Sequence, residues 1–452
     1  MQTTMLTTAQ TTARLAEFIT GFSSAEIPQE VREVAQRSLV NWAGCALGGA
    51  RHPAVEIALE AMRPFIGAPH ASVIGRSDRV DALNAALLNG ISSHVLDFDD
   101  THLATLVHPS GPVLSALLAL AEHHPIDGKT FIDAIVLGIE VECRIALGVC
   151  PAHYDIGWHV TGTVGGFGAA AAVGRALNLD ARQMAWALGI AATQASGLRE
   201  VFGTMCKGLH PGRAAQSGLS AALMARAGFT SSLRAIEAPR GFAHVLSTEQ
   251  NFDRMTDELG TVWHTLENSF KPYACGLVVH PVIDGCVTLR KTHDFESGDV
   301  EAIALRVHPL VEELTGKPAP TTGLEGKFSV NHSAAIALHE GRSTSGHYTD
   351  TAVRIPEVAA LRERVTVEIV PGIRVDEAYV SVRLKDGRKL EHHVEHALGS
   401  IKRPMNDAQI DDKFMDLAYV VMTQEQASRA LHACRSVESL TDAGRIGEAL
   451  AL

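Results

Sequence analysis

The sequence predicts a mainly α protein, a large all-helical domain with a smaller inserted α+β domain. Three observations carry this expectation. Aromatic residues are only 5% of the chain while Ala and Gly, 39 of the latter, recur throughout; that mix favours closely packed helices over a β-sandwich. Apolar residues return at helical spacing over the first 270 residues. Beyond that point the pattern changes to alternation. A hydrophobic share of 46% and a charged share of 20% belong to a chain that folds around a core, and 452 residues, at roughly 150 per domain, suggest two or three domains.

Taken in order, Ile27-Pro28 opens a helix, with Pro near its first turn and Val31, Val34, Ala35, Leu39 and Trp42 on one face. Residues 81–96 repeat the pattern through Leu83, Leu87, Ile91 and Val95. Helices are expected over 112–123, 131–148, 165–177, 181–197 and 213–227, where Ala and Gly at helical spacing let backbones approach. Alternation then marks strands at Glu301–Val307, Val365–Val370, Tyr379–Leu384 and Lys389–Val394, with a helix at Ser333–Glu340 between the first two. The last two strands flank Lys385-Asp386-Gly387-Arg388, and Asp-Gly between alternating runs is a strong hairpin signal. From Asp407 the helical period resumes. The expected domains are 1–270 (helical), 271–400 (α+β) and 401–452 (helices returning to the first).

A net charge of −12 repels phosphate backbones, which argues against nucleic-acid binding as the main task. The seven Cys form no C-x-x-C pair, the pattern of a reduced cytoplasmic protein without disulfide framework or zinc knuckle. The polar opening segment has no apolar signal core. The run Val113–Ala121, interrupted by Ser115, is too short to span a bilayer. No membrane partner is expected.

Four polar clusters stand out. Residues 94–111 hold His94, Asp97, Asp99, Asp100, Thr101, His102 and His108. Residues 157–163 (GWHVTGT) set His159 between glycines ahead of a helix, where backbone can approach a ligand. Residues 205–213 (MCKGLHPGR) put Lys207, His210 and Arg213 just before a helix, a cationic set suited to a carboxylate-bearing substrate. Residues 269–275 (SFKPYAC) place Lys271 at the join of the two textures, and such junctions are common pocket sites. Two short matches mislead. Asp97-Phe98-Asp99-Asp100-Thr101 fits the D-x-D-x-T of haloacid-dehalogenase-type phosphotransferases, but that chemistry needs a buried strand before the first Asp, and ISSHVL ends a helical pattern instead. Gly166-Phe167-Gly168-Ala169-Ala170-Ala171 fits a loose dinucleotide fingerprint, with neither a preceding strand nor an acidic residue about 20 positions on.

Together the Ile-Pro opening, HVLDFDDTH…HPSG, GWHVTGT, KGLHPGRAA, RGF at 240–242 and SFKPYACG give a chain that resembles the MmgE/PrpD family over nearly its whole length. The resemblance implies a large helical domain with a smaller α+β domain, a homodimer, and 2-methylcitrate dehydration, cis-aconitate decarboxylation or iminodisuccinate epimerisation as activity. It also implies that Asp97, Thr101, His108, His159, Lys207 and Lys271 belong to the site. Two departures matter. Leu106-Val107 look like extra spacing before His108, and His332 in KFSVNH stands where family members often carry Tyr.

The three reactions share one need: negative charge builds beside a carboxylate, so the site must supply a base of suitable pKa and fixed cations. The expectation is a lyase without cofactor or metal, acting on a small di- or tricarboxylate, with 2-methylcitrate-dehydratase-like elimination favoured. Epimerisation of the iminodisuccinate type and cis-aconitate decarboxylation are the alternatives. A Mg²⁺-dependent phosphohydrolase using Asp97 and Asp99 is a remote one, and a non-catalytic helical protein a third class. In the favoured scheme His159 and Lys207 exchange protons at the reacting carbon, His108 assists the leaving hydroxyl, and Asp97 orients a His or Lys. Thr101 and Lys271 hold substrate carboxylates, and His102, Arg213 and His332 complete the expected binding residues.

Overall fold

A computed structural model describes residues 10–452; residues 1–9 of the polar opening segment lie outside the described residues. The apolar stripes of the first 270 residues become the helices Gln29–Gly49, Ala82–His94, Ser110–Ala121, Gly128–Val149, Val160–Ala176, Ala181–Ala192 and Cys206–Arg226. Three of these starts are fixed by side-chain caps. Asp81 accepts from the Asn84 N–H, Asp127 from those of Lys129 and Thr130, and Asp180 forms a capping box with Gln183, each satisfying backbone donors a helix start leaves open.

Two helices are brought together by glycine in a way that builds the site. A Cβ on Gly90 would lie 2.4 Å from Gly212 Cα, and one on Gly208 would lie 2.9 Å from a Val95 methyl. Pairing 90 with 212 and 95 with 208 means that the helices Ala82–His94 and Cys206–Arg226 run antiparallel at near-backbone contact. Continued by two residues, that register sets Asp97 opposite Lys207.

Helix starts differ most from expectation at two places. The helix expected at 213 starts at Cys206, and the one expected at 165 starts at Val160. Gly208, Pro211 and Gly212 read as breakers in sequence. In the fold they lie within a helix whose glycines are packed against a neighbour, and burial outweighs their weak propensity.

The alternating runs form one four-stranded sheet. Val300–Val307 lies between Val365–Ile369, parallel to it, and Ala378–Leu384, antiparallel; Lys389–Val394 closes the far edge. The Asp-Gly turn is a hairpin: the Gly387 N–H donates to the Leu384 carbonyl, and Gly387 adopts φ +90°, which favours glycine. Ile303, Leu305, Val380 and Val382 pack on the helices His280–Thr292 and Val330–Glu340 to form a second core. The first core gathers helical residues from Leu15 to Phe270 and again from Met405 to Leu450, so the final helices lie on the first ones. Among the described residues no helix is long and apolar enough to cross a membrane.

One buried acid works against this helical core. Glu142 is fully buried in Gly128–Val149, and among the described residues neither of its carboxylate oxygens has a hydrogen-bond partner. Burial, helped by the charge of Asp100, holds its pKa well above the usual 4.5. A raised folded pKa contributes stability below pH 4.5 that is lost as pH rises towards the folded value. Glu142→Met, which keeps the volume, is therefore expected to stabilise the fold by about 1–3 kcal/mol, more at pH 8 than at pH 5. Urea unfolding at both pH values checks this; a variant no more stable than wild type at pH 8 contradicts it.

Candidate active site

The helix Ala82–His94 ends one turn before Asp97. There the chain reverses, with Asp97 at φ +50° and its N–H donating to the His94 carbonyl at 2.8 Å. Asp is among the few side chains that tolerate this conformation. The reversal turns the Asp97 carboxylate between two ammonium groups: Oδ1 accepts from Lys207 Nζ at 3.0 Å and from Lys271 Nζ at 2.7 Å. Lys271 Nζ also donates to the Asp97 carbonyl at 3.0 Å. It is delivered there by Asn268–Ser269, which pairs antiparallel with Thr101–His102.

These groups line a cleft between the two cores. His108, His159 and the Thr101 hydroxyl share its polar wall, while Tyr154, Phe202, Leu277 and Phe328 form the apolar one. Lys207 Nζ lies 5.3 Å and 5.2 Å from the Phe202 and Phe328 ring centroids, so its charge faces one carboxylate and two aromatic rings.

Each histidine is oriented through Nδ1. His108 Nδ1 donates to the Asp100 carbonyl at 3.0 Å; a carbonyl only accepts, so the proton is on Nδ1 and Nε2 keeps its lone pair. His94 Nδ1 donates to Asp99 Oδ2 at 2.7 Å. His159 Nδ1 shares a proton with His210 Nδ1 at 2.7 Å. Among the described residues neither His108 Nε2 nor His159 Nε2 has a hydrogen-bond partner, and both rings border the cleft.

Burial and neighbouring charge set the protonation states. Burial alone would raise the Asp97 pKa, but Lys207 and Lys271 outweigh it and hold the carboxyl well below 3.8. Burial, then Lys207 and His210, pushes His159 well below 6.5. Burial and the nearby ammonium groups push His108 down as well, against the pull of Asp99. Burial lowers Lys207 from 10.5 despite Asp97, whereas Lys271, also desolvated, is raised by Asp97 and Asp99. At neutral pH the cleft therefore presents ammonium groups and neutral imidazoles.

Two further buried lysines fix the turn that carries Asp97. Lys327 Nζ donates to the carbonyls of Leu96 and Ala274 at 2.5 and 2.9 Å. Lys413 Nζ donates to those of Phe98 and Lys271 at 2.6 and 2.8 Å. Burial lowers each to about 8. Asp100, pushed up to about 6 chiefly by burial, accepts from Ser110 and Asn268.

Six of the expected site residues meet at this cleft: Asp97, Thr101, His108, His159, Lys207 and Lys271. Three do not. His102 follows Thr101 in extended backbone, so its side chain takes the opposite face and bonds Thr105 and Glu267. Arg213 lies six residues beyond Lys207 in one helix, about 240° around the axis at 100° per residue. It is exposed, with Nη1 on Gln216. His332 is buried behind the cleft wall, its Nε2 on the His347 carbonyl at 2.9 Å and its ring against Tyr348. The added Leu106-Val107 is absorbed locally: Leu106 adopts φ +59° and Val107 bridges His102, leaving His108 at the cleft. In sequence His210 reads only as part of the cationic set with Lys207 and Arg213, and Lys327, in the KFSVNH segment, does not read as a site residue. Tyr154, Phe202, Phe328 and Lys413 carried no signal, being ordinary aromatic and helical positions until the fold brings them together.

Two constellations at the cleft have ligand atoms within 4.8 Å of one another, His94–His108–His159 and Asp97–Asp99–His108. The ammonium groups of Lys207 and Lys271 against Asp97 make this an unfavourable place for a further cation. The phosphohydrolase reading meets the same obstacle, and Asp97 follows a helix instead of a strand.

Comparison with known proteins agrees with this architecture. The profile of the MmgE/PrpD N-terminal domain matches residues 13–255 and that of the MmgE/PrpD C-terminal domain residues 273–438. A cis-aconitate decarboxylase of Homo sapiens is 26% identical over 95% of this chain and 92% of its own length. One of Aspergillus terreus is 27% identical over 95% and 94%, and a 2-methylcitrate dehydratase of Cupriavidus necator is 25% identical over 82% of each. With both domain profiles matched in order along the chain, this protein belongs to the MmgE/PrpD family.

Proposed function

We propose that this protein is a lyase acting on a small di- or tricarboxylate through a carbanion formed beside a carboxylate. The observation that carries this reading is the pairing of two buried ammonium groups with one carboxylate, while two neutral imidazoles face the same cleft. Around this turn four buried lysines, Lys207, Lys271, Lys327 and Lys413, outnumber the three carboxylates Asp97, Asp99 and Asp100, and the surplus attracts a polyanion.

Lys271 and the Thr101 hydroxyl hold substrate carboxylates, and Lys207 lies where charge develops. In decarboxylation the bond to a carboxylate carbon breaks and carbon dioxide leaves. The electron pair passes to the substrate carbon, which takes a proton from His159 or Lys207. In dehydration His159 or Lys207 removes a proton from the carbon beside a carboxylate, and His108, protonated on Nε2 once a bound polyanion raises its proton affinity, gives that proton to the departing hydroxyl. A bound polyanion raises the proton affinity of His159, so an imidazole neutral in the free enzyme can take up the proton it transfers. This scheme draws only on the cleft's own side chains. Decarboxylation comes first for assay, because relatives bearing that name from Homo sapiens and Aspergillus terreus match 95% of the chain. Exposed Met205, Leu209 and Leu223, at or on the Cys206–Arg226 helix, support a homodimer as part of this reading; seven free cysteines support a cytoplasmic setting.

Proton NMR in D₂O with 2-methylcitrate, citrate, cis-aconitate and iminodisuccinate, with and without EDTA, tests the proposal. New vinyl signals that survive EDTA are expected, with carbon dioxide release marking decarboxylation and its absence dehydration. Deuterium entering beside a carboxylate without elimination moves the reading to an isomerase. No change in any of the four contradicts it.

A further inference from the structure

His102, expected at the substrate, belongs to a second cluster on the opposite side of the short ladder that carries Thr101 and Lys271. Its Nε2 lies 3.2 Å from Glu267 Oε2, and His264 Nδ1 lies 3.5 Å from Glu267 Oε1. We propose that His102, His264 and Glu267 form a binding site for a divalent cation of the zinc class.

Donor chemistry and geometry both support this site. The Thr105 hydroxyl donates to the His102 carbonyl and accepts from His102 Nδ1 at 2.8 Å. With Thr105 accepting in this way Nδ1 carries the imidazole proton, and Nε2, on the Glu267 side, is the ring atom left to bind an ion. The 3.2 Å gap between Nε2 and the Glu267 carboxylate holds either a proton, with Nε2 donating, or a metal ion bound by both groups. His264 Nδ1 is buried and, among the described residues, lacks a hydrogen-bond partner. All three ligand atoms lie within 4.8 Å of one another. Two donors bound to one tetrahedral ion at ~2.05 Å stand about 3.3 Å apart, and the two measured gaps bracket that value. Two imidazoles and one carboxylate suit zinc-class ions better than Mg²⁺ or Ca²⁺, which prefer all-oxygen sets. Thr105 supplies the outer hydrogen bond that orients a ligating histidine.

Entry is from solvent, since the Glu267 side chain is 41% exposed while that of His102 is fully buried. The ion joins the 264–267 turn to Thr101–His102, bracing the pairing that places Thr101 and Lys271. The site is separate from the proton-transfer residues and stands whether or not the lyase reading holds.

Full-length protein stripped with EDTA and exchanged into metal-free buffer is titrated with Zn²⁺ by calorimetry and with Co²⁺ by visible absorption. The expected result is one ion per chain, the absorption of a four-coordinate Co²⁺ site, and a Kd near or below about 1 µM. His264→Ala and Glu267→Gln are each expected to weaken binding by ~100-fold while circular dichroism stays native. Retained folding with lost affinity separates the site from general damage. Absence of Zn²⁺ binding to wild type overturns the proposal: the cluster is then a proton-sharing one. Binding that is unchanged in both variants also overturns it, placing the ion elsewhere.

Discussion

His159→Ala and Lys207→Ala each lower turnover by at least about 100-fold, the loss expected when a general acid–base is removed, with circular dichroism unchanged. The two residues face one cleft but differ in what sets their protonation. His159 is kept neutral first by burial and then by the ammonium group of Lys207, so the free enzyme holds a ready base at neutral pH. For dehydration, in which His159 acts as base, the acid limb of kcat/KM in wild type is accordingly expected below the ordinary histidine value of 6.5. In Lys207→Ala one cation beside His159 is gone, its pKa rises, and the limb of the residual activity moves to higher pH. Steady-state rates across pH 5–9 for the three proteins provide the check. Near-normal turnover in both folded variants removes this pair from the mechanism.

Asp97→Asn has the largest expected effect on stability. Its carboxylate is the only acidic side chain within hydrogen-bond distance of Lys207 and Lys271 among the described residues, and all three side chains are buried. The amide keeps the shape and removes the charge, leaving two desolvated ammonium groups to repel each other. Breaking a buried ion pair in this way costs about 3–5 kcal/mol, and turnover falls with it because both lysines lose their anchor. The pH dependence has a definite sign. A carboxyl held below its unfolded value contributes stability above pH 3.8 that is lost as pH falls towards its folded value. The gap between wild type and Asp97→Asn is therefore widest near neutrality and narrows below pH 3.8. Urea denaturation at pH 7 and in acid measures it; a gap under about 1 kcal/mol at pH 7 means that the two lysines do not depend on Asp97.

Much of this protein is written locally in its sequence. Apolar spacing located the helices, alternation located the four strands, and Asp386-Gly387 located the hairpin, because each depends on neighbours a few residues away. The four polar blocks likewise announced a site, and six side chains named from them meet at one cleft. Which member of a block faces that cleft was decided elsewhere. Thr101 faces it and His102 does not because the ladder with Asn268–Ser269 makes their segment extended. Lys207 faces it and Arg213 does not because Gly208, Pro211 and Gly212 lie inside a helix, held there by close packing against Ala82–His94. Lys413 is a single cation on a C-terminal helix, and only the return of that helix to the first core brings it to the carbonyls of Phe98 and Lys271. Residue type and spacing thus determined the elements and the chemistry available. The directions of Thr101, Lys207 and Lys413 depended on contacts between segments more than a hundred residues apart, which no local pattern encodes.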